Sequence, residues 1–386
     1  MYSNVIFKSI NIKITADKKK KLKNYLKKII DSKWPAFLDS FREDYKYSYE
    51  KKILKKFNKI KNINIIGMGG SLLGAKAIFN FLNFKINKNF SFLENLKLKN
   101  NSTKKSLNII ISKSGNTLET IVNFNLKIRN KDKNIIITEN SNSYLQKLSK
   151  KLKSEVIEHK NFIGGRFSVL SEVGMLPAEL MGLNEKKFKK FNDLIVKKKF
   201  IDNLLHNVLC TYKLIKNKKF NSIILNYDPS SNDFFEWYKQ LVSESLGKNS
   251  KGILPVISTM PKDNHSILQL YLSGFKPNFY TFFIVEEKGT TKLSSKYLFD
   301  KHNFLKNKET FEILNAQKLA TQNIFNSKKI PYRSFYIKKR DEETLGELFT
   351  FFTLEVILLS HLLKVNPLDQ PEVELIKNET FKILKN

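Results

Sequence analysis

A hydroxyl-rich turn in the first half of the chain has the residue types that a phosphate site needs. Residues 107–111 are apolar apart from one Asn and predict a buried parallel strand, and a helical apolar pattern begins at Leu118. The N–H groups at a helix start carry partial positive charge, and Gly115 lets a ligand approach the backbone. The pattern predicts a phosphate site, with an ordinary Ser/Thr-capped helix start as the alternative. Its hydroxyl donors would be Ser112, Ser114, Thr117 and Thr120.

A glycine-rich turn lies upstream of this segment. Residues 63–66 predict a strand that runs into Gly-Met-Gly-Gly-Ser-Leu-Leu-Gly at 67–74, and a helix follows from Ala75. Glycines between a strand and a helix permit a tight turn and a close approach to a ligand. A dinucleotide fingerprint is the alternative, but it needs an acidic residue at the end of the second strand, and Glu94 precedes that strand. Ser71 is therefore interpreted as a further hydroxyl donor to the same anion.

Two glycines precede an arginine in the segment Phe-Ile-Gly-Gly-Arg-Phe-Ser-Val-Leu-Ser, residues 162–171. The glycines predict a bent, closely packed backbone around Arg166. A guanidinium held in this way is a fixed positive charge with forked donors, which suits an oxyanion that develops during a reaction. The alternative is an arginine tied to a structural carboxylate.

An amide and a carboxylate share one face of a predicted helix at residues 237–248. Gln240 and Glu244 are four residues apart, and Gly247 is typical of a helix end. A carboxylate at a helix end beside a cleft can act as a general base that moves a proton between neighbouring carbons. A surface carboxylate near Lys248 is the alternative.

Two further polar turns carry candidate residues. His265 lies in Lys-Asp-Asn-His-Ser, and a loop histidine with a nearby acid suits proton transfer at neutral pH, although a lone histidine is more often structural. Gln370 lies in a turn before a last predicted helix, from which Lys377 projects. Because the chain contains so many lysines, Lys377 alone does not indicate a functional site.

The elements that must position these side chains alternate as strand and helix. The βαβαβ order through residues 134–138 predicts a doubly wound parallel sheet, in which ligands bind outside the carboxyl ends of the strands. Further strand candidates at 222–225, 253–257, 280–285 and 332–337 predict a second α/β domain, with no residue-level repeat of the first. The predicted divisions are a helical arm at 1–47, domains at 48–190 and 191–366, and a helical C-terminal segment at 367–386.

Composition limits the classes of partner. The net charge of +33 suggests nucleic acid or an anionic membrane as a partner. However, the lysines are spread along the whole chain and occur with many Asn, Ile and Phe residues, which A/T-rich codons also encode, so genome composition explains the charge at least as well. Cys210 is the single cysteine, so no intrachain disulfide is possible. The apolar run 345–365 contains Glu347, Glu355 and His361 and predicts a buried helix instead of a membrane span. We expect a soluble, cytoplasmic protein that binds neither nucleic acid nor membrane.

As an ordered set, these segments resemble the phosphoglucose isomerase (glucose-6-phosphate isomerase) family. The similarity runs from about Gly67 to Lys377, most of the chain, in matching order and spacing. Its motifs are Gly-x-Gly-Gly-Ser-x-x-Gly, Ser-Lys-Ser-x-x-Thr-x-Glu-Thr, Gly-Gly-Arg-Phe-Ser, Gln-x-x-x-Glu-Ser-x-Gly-Lys, His-Ser-x-x-Gln and Asp-Gln-x-x-Val-Glu-x-x-Lys. The resemblance implies two sugar-isomerase (SIS) domains of α/β type, an N-terminal arm, and a C-terminal helix that packs back.

The resemblance also implies a role for each matching residue in interconverting glucose 6-phosphate and fructose 6-phosphate. Glu244 would move the proton between C1 and C2, and Arg166 would stabilise the enediolate. His265 and Lys377 would assist ring opening, while Gln240 and Gln370 would position the substrate. No metal or nucleotide is required, and the family is typically a homodimer in which the histidine segment reaches the neighbour's site. The phosphate would be bound by Gly70, Ser71, Ser112, Lys113, Ser114, Thr117 and Thr120.

The chain departs from the family pattern in its phosphate turn and its length. Ser114 to Thr117 reads Ser-Gly-Asn-Thr where many relatives have Thr-Phe-Thr-Thr, and bifunctional glucose/mannose phosphate isomerases carry a similar turn. Mannose 6-phosphate activity therefore stays open. The chain is also short for the family, so arms that brace some dimers are expected to be missing. The remaining alternatives are a non-catalytic sugar-phosphate-binding SIS protein, a nucleic-acid-binding protein and a nicotinamide dehydrogenase.

Overall fold

The computed structural model describes residues 4–96, 105–274 and 276–385, which form two five-stranded sheets with helices on both faces. The strands are β1 Val5–Lys8, β2 Asn62–Ile66, β3 Asn89–Leu93, β4 Ser106–Ile111, β5 Lys133–Thr138, β6 Glu155–Glu158, β7 Asn221–Asn226, β8 Leu254–Thr259, β9 Asn278–Val285 and β10 Tyr332–Ile337. The helices are α1 Ala16–Asp31, α2 Lys52–Lys55, α3 Gly70–Phe81, α4 Leu118–Lys127, α5 Tyr144–Leu152, α6 Glu172–Leu180, α7 Phe191–Ile195, α8 Lys198–Lys216, α9 Asn232–Leu246, α10 Leu268–Ser273, α11 Thr310–Ser327, α12 Glu342–Leu363 and α13 Pro371–Lys385.

The first sheet has the order β3-β2-β4-β5-β6 and is parallel throughout. Glu94 directly follows β3, so the expectation that it precedes the second strand is wrong. All six residues of β4 are buried, because helices cover both faces. The Asn that interrupts its apolar run is part of a ladder, in which Asn64 donates to Asn108 at 2.8 Å and Asn108 donates to Asn134 at 3.0 Å. These buried amides satisfy one another across three strands, so the predicted strand is confirmed despite its polar residue.

The second sheet has the order β1-β10-β9-β7-β8, parallel except for β1. The four strands predicted from the second half of the chain are confirmed as β7 to β10. Read from β8, the order β8-β7-β9-β10-β1 matches that of the first sheet, with β1 in the place of β6. The two domains therefore repeat a fold although their residues do not visibly repeat.

The N-terminal segment corrects one expectation, because it is not wholly helical. Val5–Lys8 forms β1 and pairs antiparallel with β10, for example Val5 with Ile337. A four-residue strand whose partner lies at the other end of the sequence leaves no local pattern to detect. The predicted boundaries at 47/48, 190/191 and 366/367 stay predictions.

The long apolar helix α12 lies in the core, as predicted. Among the described residues it is the one helix long and apolar enough to cross a membrane, and 83% of its most apolar window is buried inside the protein. It packs against α8 and α9, within an apolar cluster that extends from the first sheet to the second. The burial is that of a core helix shared by the two domains.

The C-terminal helix is present, but the expectation that it packs back on the chain is wrong here. No residue of α13 is buried, and its apolar side chains face solvent, with Leu375 63% and Ile376 71% exposed. The helix leaves the body of the protein directly after residues 366–370.

A buried ion pair in the second domain gives a test of this packing. Arg333 of β10 and Glu355 of α12 are each 1% exposed and contact each other, and Arg333 also donates to Thr281 at 2.9 Å. We expect Glu355→Leu to lower the free energy of unfolding by about 3–5 kcal/mol, because it leaves the Arg333 charge buried without its partner. Urea unfolding measures the difference.

The double variant Arg333→Met/Glu355→Leu should regain part of that loss, because it removes both charges. Glu379→Leu is the control, since Glu379 forms an exposed pair with Lys382 on α13 and should leave unfolding unchanged. Equal losses in Glu355→Leu and Glu379→Leu would contradict the assignment of Glu355 to the core.

Candidate active site

The hydroxyl-rich turn forms a cradle at the carboxyl end of β4. Ser112 is buried, and its hydroxyl lies 2.8 Å from that of Thr117 and accepts from the Gly115 N–H at 3.1 Å. Gly115 has a φ of +68°, and a Cβ there would lie 2.2 Å from Ser143 Oγ, so glycine alone fits this turn.

The helix start above the cradle is not capped by its own side chains. Thr117 occupies the N-cap position of α4 without a capping hydrogen bond, because its hydroxyl faces Ser112 instead. Thr120 Oγ1 is buried and has no hydrogen-bond partner among the described residues. Uncapped N–H groups beside an unpaired buried hydroxyl favour an anion over the ordinary capped start.

Lys113 and Ser114 belong to the same turn, and each has contacts with residues other than Ser112 and Thr117. The Lys113 ammonium donates to the Asn161 carbonyl at 2.7 Å and lies 3.5 Å from Glu139. Ser114 is exposed, and its hydroxyl accepts from the Asn116 N–H at 3.3 Å. Lys113 is therefore engaged by Asn161 and Glu139, and Ser114 is open to solvent beside Asn116.

The glycine-rich turn touches three other parts of the candidate site. β2 and β4 are neighbours, and a Cβ on Gly67 would lie 3.0 Å from the carbonyl oxygen of Ile111, directly before the cradle. Gly69, with a φ of +52°, packs against Gln240, where a Cβ would lie 2.7 Å from Nε2. Gly70 packs on the backbone of the arginine segment. Ser71 follows in the first turn of α3, partly exposed beside the cradle.

Arg166 lies at the centre of the site and is 2% exposed. It is carried by the 3₁₀ turn Gly165–Leu170, and its Nη1 donates to Glu244 Oε2 at 3.1 Å and to Gln370 Oε1 at 2.6 Å. Burial lowers the pKa of Arg166, and the Glu244 carboxylate opposes that shift. The guanidinium stays charged over the physiological range because its ordinary pKa is so high. Its carboxylate partner is the candidate base itself, not a separate structural acid.

Glu244 lies near the end of α9, and both of its carboxylate oxygens accept hydrogen bonds. Gln240 Nε2 donates to Oε1 at 2.9 Å, while Arg166 takes Oε2. The Glu244 side chain keeps 23% exposure, so a ligand can reach it. Gln240 Oε1 is buried without a partner among the described residues, which leaves an acceptor for a ligand hydroxyl. A carboxylate beside a fixed cation can take a proton from carbon while the cation receives the oxyanion that forms.

His265 and Lys377 are not brought to this site. α9 connects to the start of β8, and His265 lies in the 3₁₀ turn Lys262–His265 just past the end of that strand, exposed to solvent. Six residues of strand span roughly 20 Å, so Glu244 and His265 lie at opposite ends of the second domain. Lys377 is exposed on α13, and its ammonium pairs with Glu374 at 2.6 Å.

Three residues that contact Arg166 were not predicted from the sequence to have a role in the site. Ser245 Oγ accepts from Arg166 Nε at 2.8 Å, and Trp237 Nε1 donates to the Arg166 carbonyl at 3.2 Å. Asp369 accepts from Nη2 through its backbone carbonyl at 3.1 Å. Trp237 and Ser245 are eight residues apart and share the inner face of α9, a spacing that could have paired them with the arginine segment.

No group of three or more His, Cys, Asp or Glu side chains is placed to hold a metal ion in the described part of the chain.

The structure therefore defines a class of α/β protein with two doubly wound sheets, a hydroxyl cradle at a strand end and a carboxylate that contacts a buried guanidinium. The sequence profile "Phosphoglucose isomerase" matches residues 41–253. The glucose-6-phosphate isomerase of Methanocaldococcus jannaschii is 31% identical over 351 residues, 86% of each chain, and that of Mycoplasmopsis synoviae is 32% identical, over 93% of this chain and 91% of its own. The chain belongs to the phosphoglucose isomerase family.

Solved structures show the same fold. A hypothetical protein from Thermus thermophilus superimposes with a TM-score of 0.82 at 22% identity and covers 95% of each chain. At this identity the likeness concerns the architecture, which is the two-domain arrangement described above.

The contact between the glycine-rich turn and the arginine segment can be tested directly. A Cβ on Gly70 would lie 2.1 Å from the carbonyl carbon of Gly165 and 2.6 Å from the Arg166 nitrogen. Helix propensity favours alanine by at most about 1 kcal/mol, whereas overpacking costs about 1–3 kcal/mol. We expect Gly70→Ala to lower the free energy of unfolding and to weaken inorganic phosphate binding, measured by urea unfolding and calorimetric titration.

Gly164→Ala is the matched control, because its Cβ would meet only Phe167 at an ordinary 3.4 Å. That variant should behave like the parent protein in both measurements. If the two alanine variants were indistinguishable, the close contact of Gly70 with Arg166 would not constrain the site.

Proposed function

We propose that this protein is an aldose–ketose isomerase that interconverts glucose 6-phosphate and fructose 6-phosphate through a cis-enediolate, in glycolysis and gluconeogenesis. The observation that carries the proposal is the Arg166–Glu244 contact at 3.1 Å, which the glycine-rich turn connects to the hydroxyl cradle. Family membership and the relatives named glucose-6-phosphate isomerase support it. A carboxylate that a ligand can reach, beside a buried cation, favours proton transfer over sugar binding alone.

The substrate would be held at both ends. Its phosphate would bind the cradle of Ser112, Thr117 and Thr120, with Gly70 and Ser71 completing it from α3. Anchoring the phosphate fixes C1 and C2 relative to Glu244, which converts an encounter into an oriented intramolecular step. Gln240 and Gln370, which contact Glu244 and Arg166 respectively, would position the sugar hydroxyls.

The proton transfer follows from the placement of the two charged groups. Glu244 removes the proton from C2 of the open-chain aldose, and the electrons move into an enediolate whose oxygen charge faces Arg166. Returning the proton to C1 gives the ketose, with the exchangeable hydroxyl proton moving between O2 and O1. A donor aimed at such an oxyanion contributes about 3–4 kcal/mol to lowering the barrier. The cation is preplaced, so no reorganisation is needed when the charge develops.

Ring opening would require groups that this chain does not place beside Glu244. We propose a homodimer in the cytoplasm, in which His265 of one subunit reaches the site of the other. The separation of His265 and Glu244 along β8, together with the exposure of His265, supports this arrangement. Lys377 would join the site through a different position of α13. Nucleic acid and membranes have no part in the proposed function.

Activity on mannose 6-phosphate is the second candidate function. The phosphate turn is built around Gly115, where a side chain would collide with Ser143, and Asn116 Oδ1 accepts from the Tyr144 N–H at 2.9 Å. The Asn116 side chain therefore contacts the start of α5, and Gly115 adds no side chain to the turn. Assays of both sugar phosphates with the same enzyme decide between a specific and a bifunctional isomerase.

Replacing the proposed base tests the reaction. We expect Glu244→Gln to lower kcat by about 10²–10⁴-fold, because the amide cannot accept the proton from carbon. The inhibition constant of inorganic phosphate should stay near the parent value, because the cradle is unchanged. In deuterated water the parent enzyme should place deuterium at C2 of glucose 6-phosphate made from fructose 6-phosphate.

Glu236→Gln is the matched control on the same helix, since Glu236 pairs with Lys239 at the surface. It should retain parental turnover. Normal turnover in Glu244→Gln would remove Glu244 from the mechanism, and the absence of any turnover by the parent enzyme would overturn the proposed function.

Complementation between two inactive variants tests the shared site. We expect His265→Ala and Glu244→Gln to be inactive on ring-closed substrate, and their mixture after subunit exchange to recover about a quarter of parental activity, because half of randomly formed dimers contain one complete site. Sedimentation should give the mass of a dimer.

A chain that carries both substitutions is the control, since mixing it with either single variant leaves no site with both groups. If the mixture of the two single variants recovered no activity, a site shared between subunits would be contradicted.

A further inference from the structure

The turn at residues 366–370, here called the C-terminal turn, covers Arg166 and supplies most of its acceptors. Nη2 donates to the carbonyl oxygens of Pro367 and Asp369, the latter at 3.1 Å, and Nη1 donates to Gln370 Oε1 at 2.6 Å. The orientation of the guanidinium toward Glu244 therefore depends on where this turn lies.

A second cation holds the C-terminal turn from the side of α9. Lys248 follows Glu244 by four residues, just past the end of the helix, and its ammonium lies 2.6 Å from Asp369 Oδ1. The same ammonium donates to the Asn366 carbonyl. Asn366 Nδ2 in turn donates to Asp369 Oδ2 at 3.1 Å, so both carboxylate oxygens are held. The Lys248 side chain is 12% exposed, far less than a solvated surface lysine.

The electrostatics agree with a persistent contact. The Lys248 ammonium is the largest cause that holds the pKa of Asp369 below its ordinary value, and Arg166 adds to the effect. Both cations therefore favour the ionised form of Asp369, whose side chain keeps 52% exposure.

We propose that Lys248 and Asp369 are positioning residues for the isomerase reaction, because their ion pair fastens the C-terminal turn on which Arg166 and Gln370 depend. This inference rests on the proposed function and deepens it. The polar contacts of these two side chains are with each other and with Asn366, and Lys248 lies just past the helix end that carries Glu244. One rigid element thus sets the base directly and the oxyanion donor indirectly, through the turn.

The test replaces the lysine and separates the two ends of the substrate. We expect Lys248→Met to lower kcat by about 10–100-fold, since a shift of about 1 Å in a charge-stabilising group has effects of this size. The inhibition constant of inorganic phosphate should change less than about two-fold, because the cradle lies on the other domain. Lys248→Arg should restore most of kcat.

Two additional measurements make the outcome specific. Asp369→Asn should also lower kcat, and the double variant Lys248→Met/Asp369→Asn should match Lys248→Met, because the lysine substitution already removes the ion pair. Hydrogen exchange of the peptide spanning the C-terminal turn should become faster in Lys248→Met. The control is Lys251→Met, since Lys251 donates to the Leu363 carbonyl at 3.0 Å, before the turn, and should change neither kcat nor exchange in the turn.

The proposal is overturned if Lys248→Met has the same kcat as Lys251→Met, or if its inhibition constant for inorganic phosphate rises as kcat falls. It is also overturned if the fold-losses of kcat in the two single variants multiply in the double variant. Unchanged exchange in the C-terminal turn overturns it as well, and this measurement needs no activity. Absence of isomerase turnover in the parent enzyme, with faster exchange in Lys248→Met, would instead reject the proposed function and keep the fastening role.

Discussion

A single buried contact, between the guanidinium of Arg166 and the carboxylate of Glu244, sets the requirements for the rest of the structure. A charge that is 2% exposed is tolerated only when its hydrogen bonds are satisfied, and Arg166 satisfies them with groups from α9 and the C-terminal turn. The segments that supply them are far apart in the sequence, so the contact forms only when both domains are folded and docked. The chemistry of the site is thus a property of the domain interface.

The docking itself depends on small residues where α3 meets α9 and the arginine segment. Gly69 brings the backbone of the first domain onto Gln240 of the second, and Gly70 packs on Gly165 of the arginine segment within the first domain, each at a distance where a Cβ would collide. The two sheets repeat one topology, so the paired helices α3 and α9 each follow the equivalent strand, β2 or β7, of its own sheet. Under the proposed function, α3 would contribute its N-terminal turn to the phosphate site, and α9 would contribute the base from its last turn. A duplicated scaffold in this way yields two different halves of one site.

The sequence predicted the strands well where burial produces a local signal, and less well where a distant partner decides. β4 and β7 to β10 follow from apolar runs, and even the interrupting Asn108 fits once its amide neighbours are known. β1 could not be predicted, because its four residues become a strand only by pairing with β10. The site shows the same division. The turns at strand ends were predictable from glycines and hydroxyls, whereas the contacts of Lys113 and Ser245 and the exposure of α13 depend on tertiary packing.

The distribution of charge explains how a chain with a net charge of +33 can still place one cation selectively. Diffuse lysines raise the local concentration of a phosphorylated sugar but cannot orient it, because solvated charges at the surface are screened within about 10 Å. Orientation requires fixed partners, and the cradle supplies neutral hydroxyl and N–H dipoles while Lys113 is engaged by Asn161 and Glu139. A cation in the cradle would bind the phosphate equally in the ground state and the transition state and so would not speed the chemical step. In the proposed mechanism Arg166 would lie at the other end of the substrate, where negative charge develops only during the reaction and where a buried cation lowers the barrier most.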